Sequence, residues 1–123
     1  MTDSFRPIRY RFPKRVRLSG RKAFARVFGG KHSAGNRFLV VYAIANDLDY
    51  ARLGLSVGRR CGNAVVRGRI KRLLREAFRL ERLNLPSGFD FVCVPRPGQI
   101  PTLDQCRRNL SSLFEKAATK ACK

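Results

Sequence analysis

Acidic residues are scarce in this 123-residue chain: eight Asp and Glu stand against 27 Lys and Arg, a net charge of +19. The resulting pI is near 11.4. A small domain so charged repels itself, which points to a polyanionic partner, nucleic acid first and an anionic membrane second. Histidine is limited to His32, so a general base with partners for nucleophilic catalysis is not expected. Long apolar runs are missing as well. The longest, residues 38–45, is eight residues, far short of the ~20 that a spanning helix needs. The first 17 residues hold six Arg or Lys and no apolar block, so a secretory signal is not expected. The four cysteines (Cys61, Cys93, Cys106, Cys122) lack C-x-x-C spacing, which argues against a zinc site. They read as free, partly buried thiols in a reducing compartment.

What the chain does contain suits a single domain. Hydrophobic residues make up 44%, enough for an ordinary core. Of the bases, 20 are Arg and seven are Lys. Arg forks onto phosphate oxygens and stacks on planar groups better than Lys does.

Residues 1–17 carry arginines, Pro7, Pro13 and three aromatics without a regular period, and read as a flexible basic arm. Ser19 is the expected cap of a short helix running to Phe28, with Phe24, Val27 and Phe28 on one face and Gly29-Gly30 at its end. Residues 38–45 read as a central strand and residues 51–57 as an alternating one. The turn at residues 46–49 is expected to join them in a hairpin.

The next segment predicts a helix from a cap at Asn63 to about Leu83. Val66, Ile70, Leu73, Leu74, Ala77 and Leu80 fall within an arc of roughly 120°. Between Arg59 and Arg82 stand nine Arg or Lys and two Glu, Glu76 and Glu81. Like charges stacked at i, i+4 and i+8 cost helix stability, so this face suggests a partner that supplies anions. Residues 89–94 (FDFVCV) predict a third strand, and Pro101-Thr102 opens a last helix with Leu103, Cys106, Leu110, Leu113, Phe114 and Ala117 on one side. A strand, a long helix and a strand imply a parallel crossover. The expected fold is α+β, a small α/β sandwich of order α-β-β(-β)-α-β-α, with helices on one sheet face. Its folded core is expected over 18–118, with a fraying tail at 119–123.

No set of residues in the sequence could run a reaction alone. Asp47 and Asp49 form a D-x-D, which in a turn reads as turn chemistry rather than a Mg²⁺ site. Gly54, Gly58 and Gly62 are not followed by the Lys-Ser/Thr of a phosphate loop. Phe24 and Phe28 read either as core or as the wall of a groove in which single-stranded bases stack.

The stretch from Gly54 to Phe78 (GLSVGRRCGNAVVRGRIKRLLREAF) combines a strand, a basic pair, G-N-A-V, R-x-R and I-K-R-x-x-R-E-x-F. It resembles the signature of the bacterial ribonuclease P protein subunit. Phe12-Pro13, Arg17-Leu18, Phe24-x-x-Val27-Phe28, Asn36-Arg37 and Phe89-Asp90-Phe91-Val92 extend the resemblance over about residues 11–118. One position departs: Gly68 stands where the family's Arg-Asn-Arg has Asn.

The resemblance implies the small subunit of a cytoplasmic ribonucleoprotein endonuclease that removes 5′ leaders from precursor tRNA. It implies catalysis by the RNA subunit, with Mg²⁺ held mainly by RNA, and a left-handed βαβ crossover. The partners implied are the catalytic RNA and the precursor-tRNA leader, with no membrane and no required protein partner. Arg59, Arg60, Asn63, Arg67, Arg69, Lys71, Arg72 and Arg75 are the implied contacts to the catalytic RNA. Phe12, Phe24, Phe28, Asn36, Arg37 and Tyr42 are the implied leader contacts. The alternative is a structural, ribosomal-type RNA-binding protein without a role in cleavage.

Overall fold

The computed structural model describes residues 14–98 and 100–122. A 3₁₀ turn at Lys14–Val16 leads into helix α1 (Arg21–Gly29). Strands β1 (Ser33–Gly35), β2 (Leu39–Ala45) and β3 (Arg52–Leu55) follow. A 3₁₀ turn at Arg59–Cys61 then opens helix α2 (Ala64–Glu81), and strand β4 (Phe89–Pro95) and helix α3 (Leu103–Cys122) complete the chain.

The four strands form one sheet in the order β1-β2-β4-β3. The expected β2–β3 hairpin does not form. β4 lies between them, antiparallel to β2 (Val41 opposite Cys93) and parallel to β3 (Leu53 opposite Phe91). Two features explain the insertion. β4 has buried residues on both faces, Phe91 and Cys93 on one and Val92 on the other, and such a strand belongs in the middle of a sheet. The turn after β2 is also held open for it: Asn46 N–H donates to Gly88 O and Gly88 N–H donates to Tyr50 O. The β3–α2–β4 crossover is parallel as expected. β1, in a Gly/Ser-rich segment that reads as loop, pairs with β2 through Ala34 and Val41.

Helices cover both faces, not one. On the first face, α2 contributes Ile70, Leu74, Ala77 and Phe78, and α3 contributes Cys106, Leu110, Leu113 and Phe114. They pack on Leu39, Val41, Leu53, Phe91 and Cys93 of the sheet. Phe91 and Phe114 stack with ring centroids 4.0 Å apart. On the second face sits α1 alone, burying Val27 with Leu18 and Val92.

The ends are more ordered than expected. Val16 is fully buried, and Leu18 N–H donates to Leu53 O at 2.8 Å, so residues 14–17 belong to the fold rather than to the arm. α3 runs to Cys122 with Ala118 buried, and Lys120 Nζ donates to Ser33 O at 2.7 Å. The packing of half-buried Ala121 on the core and that bond hold a segment that its sequence leaves free to fray.

Candidate nucleic-acid interface

α2 starts where its sequence says it should. Asn63 Oδ1 accepts from Val66 N–H at 2.9 Å, which satisfies one of the otherwise orphaned N–H groups of the first turn. Before it, Gly62 has φ 142°, and a Cβ there would meet Val66 at 2.8 Å, so the sharp entry requires glycine. The apolar arc then turns inward and the cations outward. At about 100° per residue they form two stripes, Arg67, Lys71 and Arg75 on one flank and Arg69 and Arg72 on the other. Arg59, Arg60, Arg69 and Arg72 are exposed.

The electrostatics of α2 are lopsided. Both of its glutamates are already bound: Glu76 pairs with Arg79, and Glu81 accepts from Arg107 Nε at 2.6 Å. The Arg79 hydrogen bond holds the Glu76 carboxyl below its usual range, against a smaller upward push from burial. Among the described residues, no Arg or Lys from 59 to 75 makes an ion pair. Seven neighbouring cations thus stand without an acid partner among the described residues, Arg67 Nε donating instead to Gly62 O at 3.2 Å.

Beside the first stripe lies an open pocket of about 370 Å³. Lys71 and Arg75 form one side, Phe24 of α1 another, and Arg17, Leu18, Leu53 and Leu55 most of the rest. Phe24 lies over β3 at Gly54, where a Cβ would come within 2.7 Å of the ring, so glycine in the strand makes room for it. Phe24 and Phe28 have ring centroids 6.4 Å apart. Phe28 meets Tyr42 edge to face at 4.9 Å. All three rings are half-buried. An aromatic surface bordered by cations can stack bases and hold phosphates at once.

The other expected leader contacts do not join this cluster. Asn36 works inside the fold: Oδ1 accepts from the N–H groups of Phe38 (2.8 Å) and Leu39 (3.1 Å), and Nδ2 donates to Asn109 (2.7 Å). Arg37 sits at the opposite end of β2 from Ile44, its guanidinium 5.5 Å from the Phe38 ring. Phe12 lies outside the described residues.

Sequence reasoning missed what lies under the aromatic surface. Asp90 is fully buried on the α1 side of β4. Its carboxylate accepts from Arg52 Nε and Nη2, both at 2.8 Å, from Asn46 Nδ2 at 2.9 Å, and from Arg26 Nη2. Burial pushes the carboxyl up, but the hydrogen bonds from Arg52 and Asn46 and the charges of Arg52 and Arg26 outweigh it, so Asp90 ionises more readily than usual. The same bond raises the Arg52 pKa. The signal was available: an acid in the apolar run FDFVCV needs a partner if its face is covered.

The cysteines are free, with Cys93 and Cys106 buried. Burial raises both thiols, Cys106 to about 11. The described residues bring no three His, Cys, Asp or Glu side chains together as a metal site. Among them, no helix is long and apolar enough to cross a membrane.

A family model described as Ribonuclease P matches residues 12–118. The ribonuclease P protein component of Caldanaerobacter subterraneus subsp. tengcongensis is 43% identical over 105 residues, covering 84% of this chain and 90% of that protein. That of Bacillus pumilus is 39% identical over 107 residues, covering 85% and 90%. The chain belongs to the ribonuclease P protein family. Solved structures agree. The ribonuclease P protein of Staphylococcus aureus superposes with a TM-score of 0.71 at 33% identity, over 81% of this chain and 93% of that one. That of Thermotoga maritima gives 0.71 at 33%, over 78% and 96%. A ribonuclease P protein subunit serves maturation of tRNA 5′ ends, and in this chain a basic helix borders a pocket that holds Phe24. Gly68, the departure from the Arg-Asn-Arg pattern, sits within α2, with nothing within 4 Å of where its Cβ would be.

Proposed function

We propose that this chain supports removal of the 5′ leader from precursor tRNA by holding two RNAs side by side. The cation stripes of α2, with Arg59 and Arg60 before it, bind phosphates of the catalytic RNA. The aromatic surface of Phe24, Phe28 and Tyr42 takes the single-stranded leader. The observation that carries this reading is the adjacency of the two, since Lys71 and Arg75 line the same pocket as Phe24. Asn63 contributes through the cap that orients α2, and its amide NH₂ stays available to RNA.

Cleavage belongs to the RNA subunit. The described residues bring no three potential ligands together, and in this reading the Mg²⁺ of the reaction sits mainly on RNA phosphates while the protein contributes charge and position. The reading places the complex in the cytoplasm and requires no further protein.

Reconstitution at low Mg²⁺ tests it. Protein alone should leave precursor tRNA intact, and protein with catalytic RNA should cleave it faster than the RNA does alone. The gain should be larger for a long leader than for a one-nucleotide leader. Tight binding to the catalytic RNA with no effect on cleavage would favour a purely structural RNA-binding role.

A further inference from the structure

α1 carries two of the three aromatic rings, yet it is the least anchored helix. Within its nine residues only Val27 is fully buried. Arg26, midway between Phe24 and Phe28, supplies a second anchor. Its Nη2 reaches the carboxylate of Asp90, and its Nη1 lies 3.4 Å from Ala45 O.

Asp90 does not need Arg26 to be tolerated inside the protein. Arg52 already grips both carboxylate oxygens and Asn46 donates to one of them. Arg26 is therefore a second cation on a carboxylate that is already neutralised. Its side chain is 45% exposed, so its loss leaves no buried, unpaired charge. What its loss removes is the polar link between α1 and β4. Val27 and the half-buried Ala23, Phe24 and Phe28 pack α1 on the sheet, and where apolar packing alone leaves a short helix free to roll, the directional Arg26–Asp90 link fixes its rotation about its own axis.

We propose that Arg26 is a positioning residue for the leader groove: through Asp90 it fixes the rotation of α1 on the sheet and so sets the angle at which Phe24 and Phe28 meet leader bases. This rests on the reading of the groove as the leader site.

The test uses the full chain assembled with the catalytic RNA. Wild type, Arg26→Ala, Arg26→Gln, Arg26→Lys and Phe28→Ala are compared on precursor tRNA with a long and with a one-nucleotide leader. The readouts are Kd for each substrate, the cleavage rate at saturation, affinity for the catalytic RNA, and melting of the free protein. A fluorescent base analogue in the leader reports stacking directly.

Arg26→Ala and Arg26→Gln should lower the long-over-short preference by about five- to tenfold, most of the loss given by Phe28→Ala. The stacking signal should fall with it. Saturating cleavage and affinity for the catalytic RNA should stay within about twofold. Arg26→Lys, which keeps the charge but not the fork, should recover part of the preference. An unchanged preference and stacking signal in both Arg26→Ala and Arg26→Gln overturns the proposal and leaves the groove reading intact. So does a loss of melting temperature with no change in preference. A wild-type complex indifferent to leader length overturns the groove reading and the proposal together.

Discussion

The two faces of the sheet use the same residue types for opposite ends. Under α2 and α3, Phe78, Phe91 and Phe114 are fully buried and pack on one another. On the other face Phe24, Phe28 and Tyr42 also touch one another, yet all three stay half-exposed. The difference lies in what sits above them. Two helices of 18 and 20 residues roof the first face, and one of nine residues partly roofs the second. An aromatic pair at i, i+4 is therefore core or binding surface according to the length of its cover. The polar chemistry divides too. The buried side chains of the first face are apolar, and the second holds a buried carboxylate with two arginines.

The widest contrast should appear on truncating one ring from each face. Phe114→Ala should cost about 3–5 kcal/mol of stability, read from urea or thermal unfolding. Phe28→Ala should cost clearly less, because its ring keeps water contact in the native state. Equal losses would erase the distinction between the faces.

Asp90→Asn comes next, at about 1.5–3 kcal/mol, the scale of hydrogen bonds to a charged group. Acid should expose the same network. The Asp90 carboxyl is held below its unfolded value, so its contribution is complete above the unfolded pKa and fades as pH falls through the folded one. Wild-type stability should therefore fall on the acid side of about pH 4, where an unfolded Asp protonates. In Asp90→Asn that limb should flatten. An unaltered acid limb would show that other carboxylates control it.

Binding sharpens the comparison from the open face. Phe24→Ala, Phe28→Ala and Tyr42→Ala should each lose about 1–3 kcal/mol of affinity for a long-leader substrate and much less for a one-nucleotide leader. Phe114→Ala, measured where it is still folded, should weaken both substrates alike. On the neighbouring helix, Lys71→Ala should flatten the log–log salt dependence of RNA binding by about 0.7–0.9, the share of one phosphate contact. An unchanged slope would remove Lys71 from the interface.

How much of this the sequence disclosed depends on how local each feature is. α2 was fully legible, because 18 residues of 3.6 periodicity carry core face, cation face and cap in one segment. The strand order was not. It rests on Gly88 spanning the turn between Asn46 and Tyr50, a contact across some forty residues that no local pattern encodes. β1 escaped because three residues, Ser-Ala-Gly, carry no strand preference and are ordered by β2 alongside. The site divides the same way. The rings at 24, 28 and 42 stand out in the sequence, and the fold sets them in contact and places Phe24 beside Lys71 and Arg75 of α2. Asn36 turned out to spend its amide on the fold, since a short amide beside a turn competes for backbone groups first. An acid in FDFVCV signals that Asp90 needs partners, but which ones was hidden, because Arg26, Asn46 and Arg52 come from three other segments.

The smallest expected effect tests α2 itself, where fold and binding share one helix. Gly68 faces outward between the two cation stripes. Its backbone is helical, and an added Cβ would meet nothing within 4 Å, so the fold has no steric need for glycine there. Glycine in a helix interior costs up to about 1 kcal/mol relative to alanine, and asparagine somewhat less. Gly68→Ala should therefore raise stability by about 0.5–1 kcal/mol, and Gly68→Asn by a few tenths. The binding outcome separates the two substitutions. Alanine adds only a methyl group, whereas asparagine adds a donor and an acceptor level with Lys71 and Arg72. Equal or tighter RNA binding by Gly68→Asn would show that an amide at this point of the helix reaches RNA. Weaker binding by both variants, with stability raised, would mean that RNA approaches the α2 backbone too closely at this point for any side chain. A lower melting temperature in Gly68→Ala would contradict the open space around Gly68.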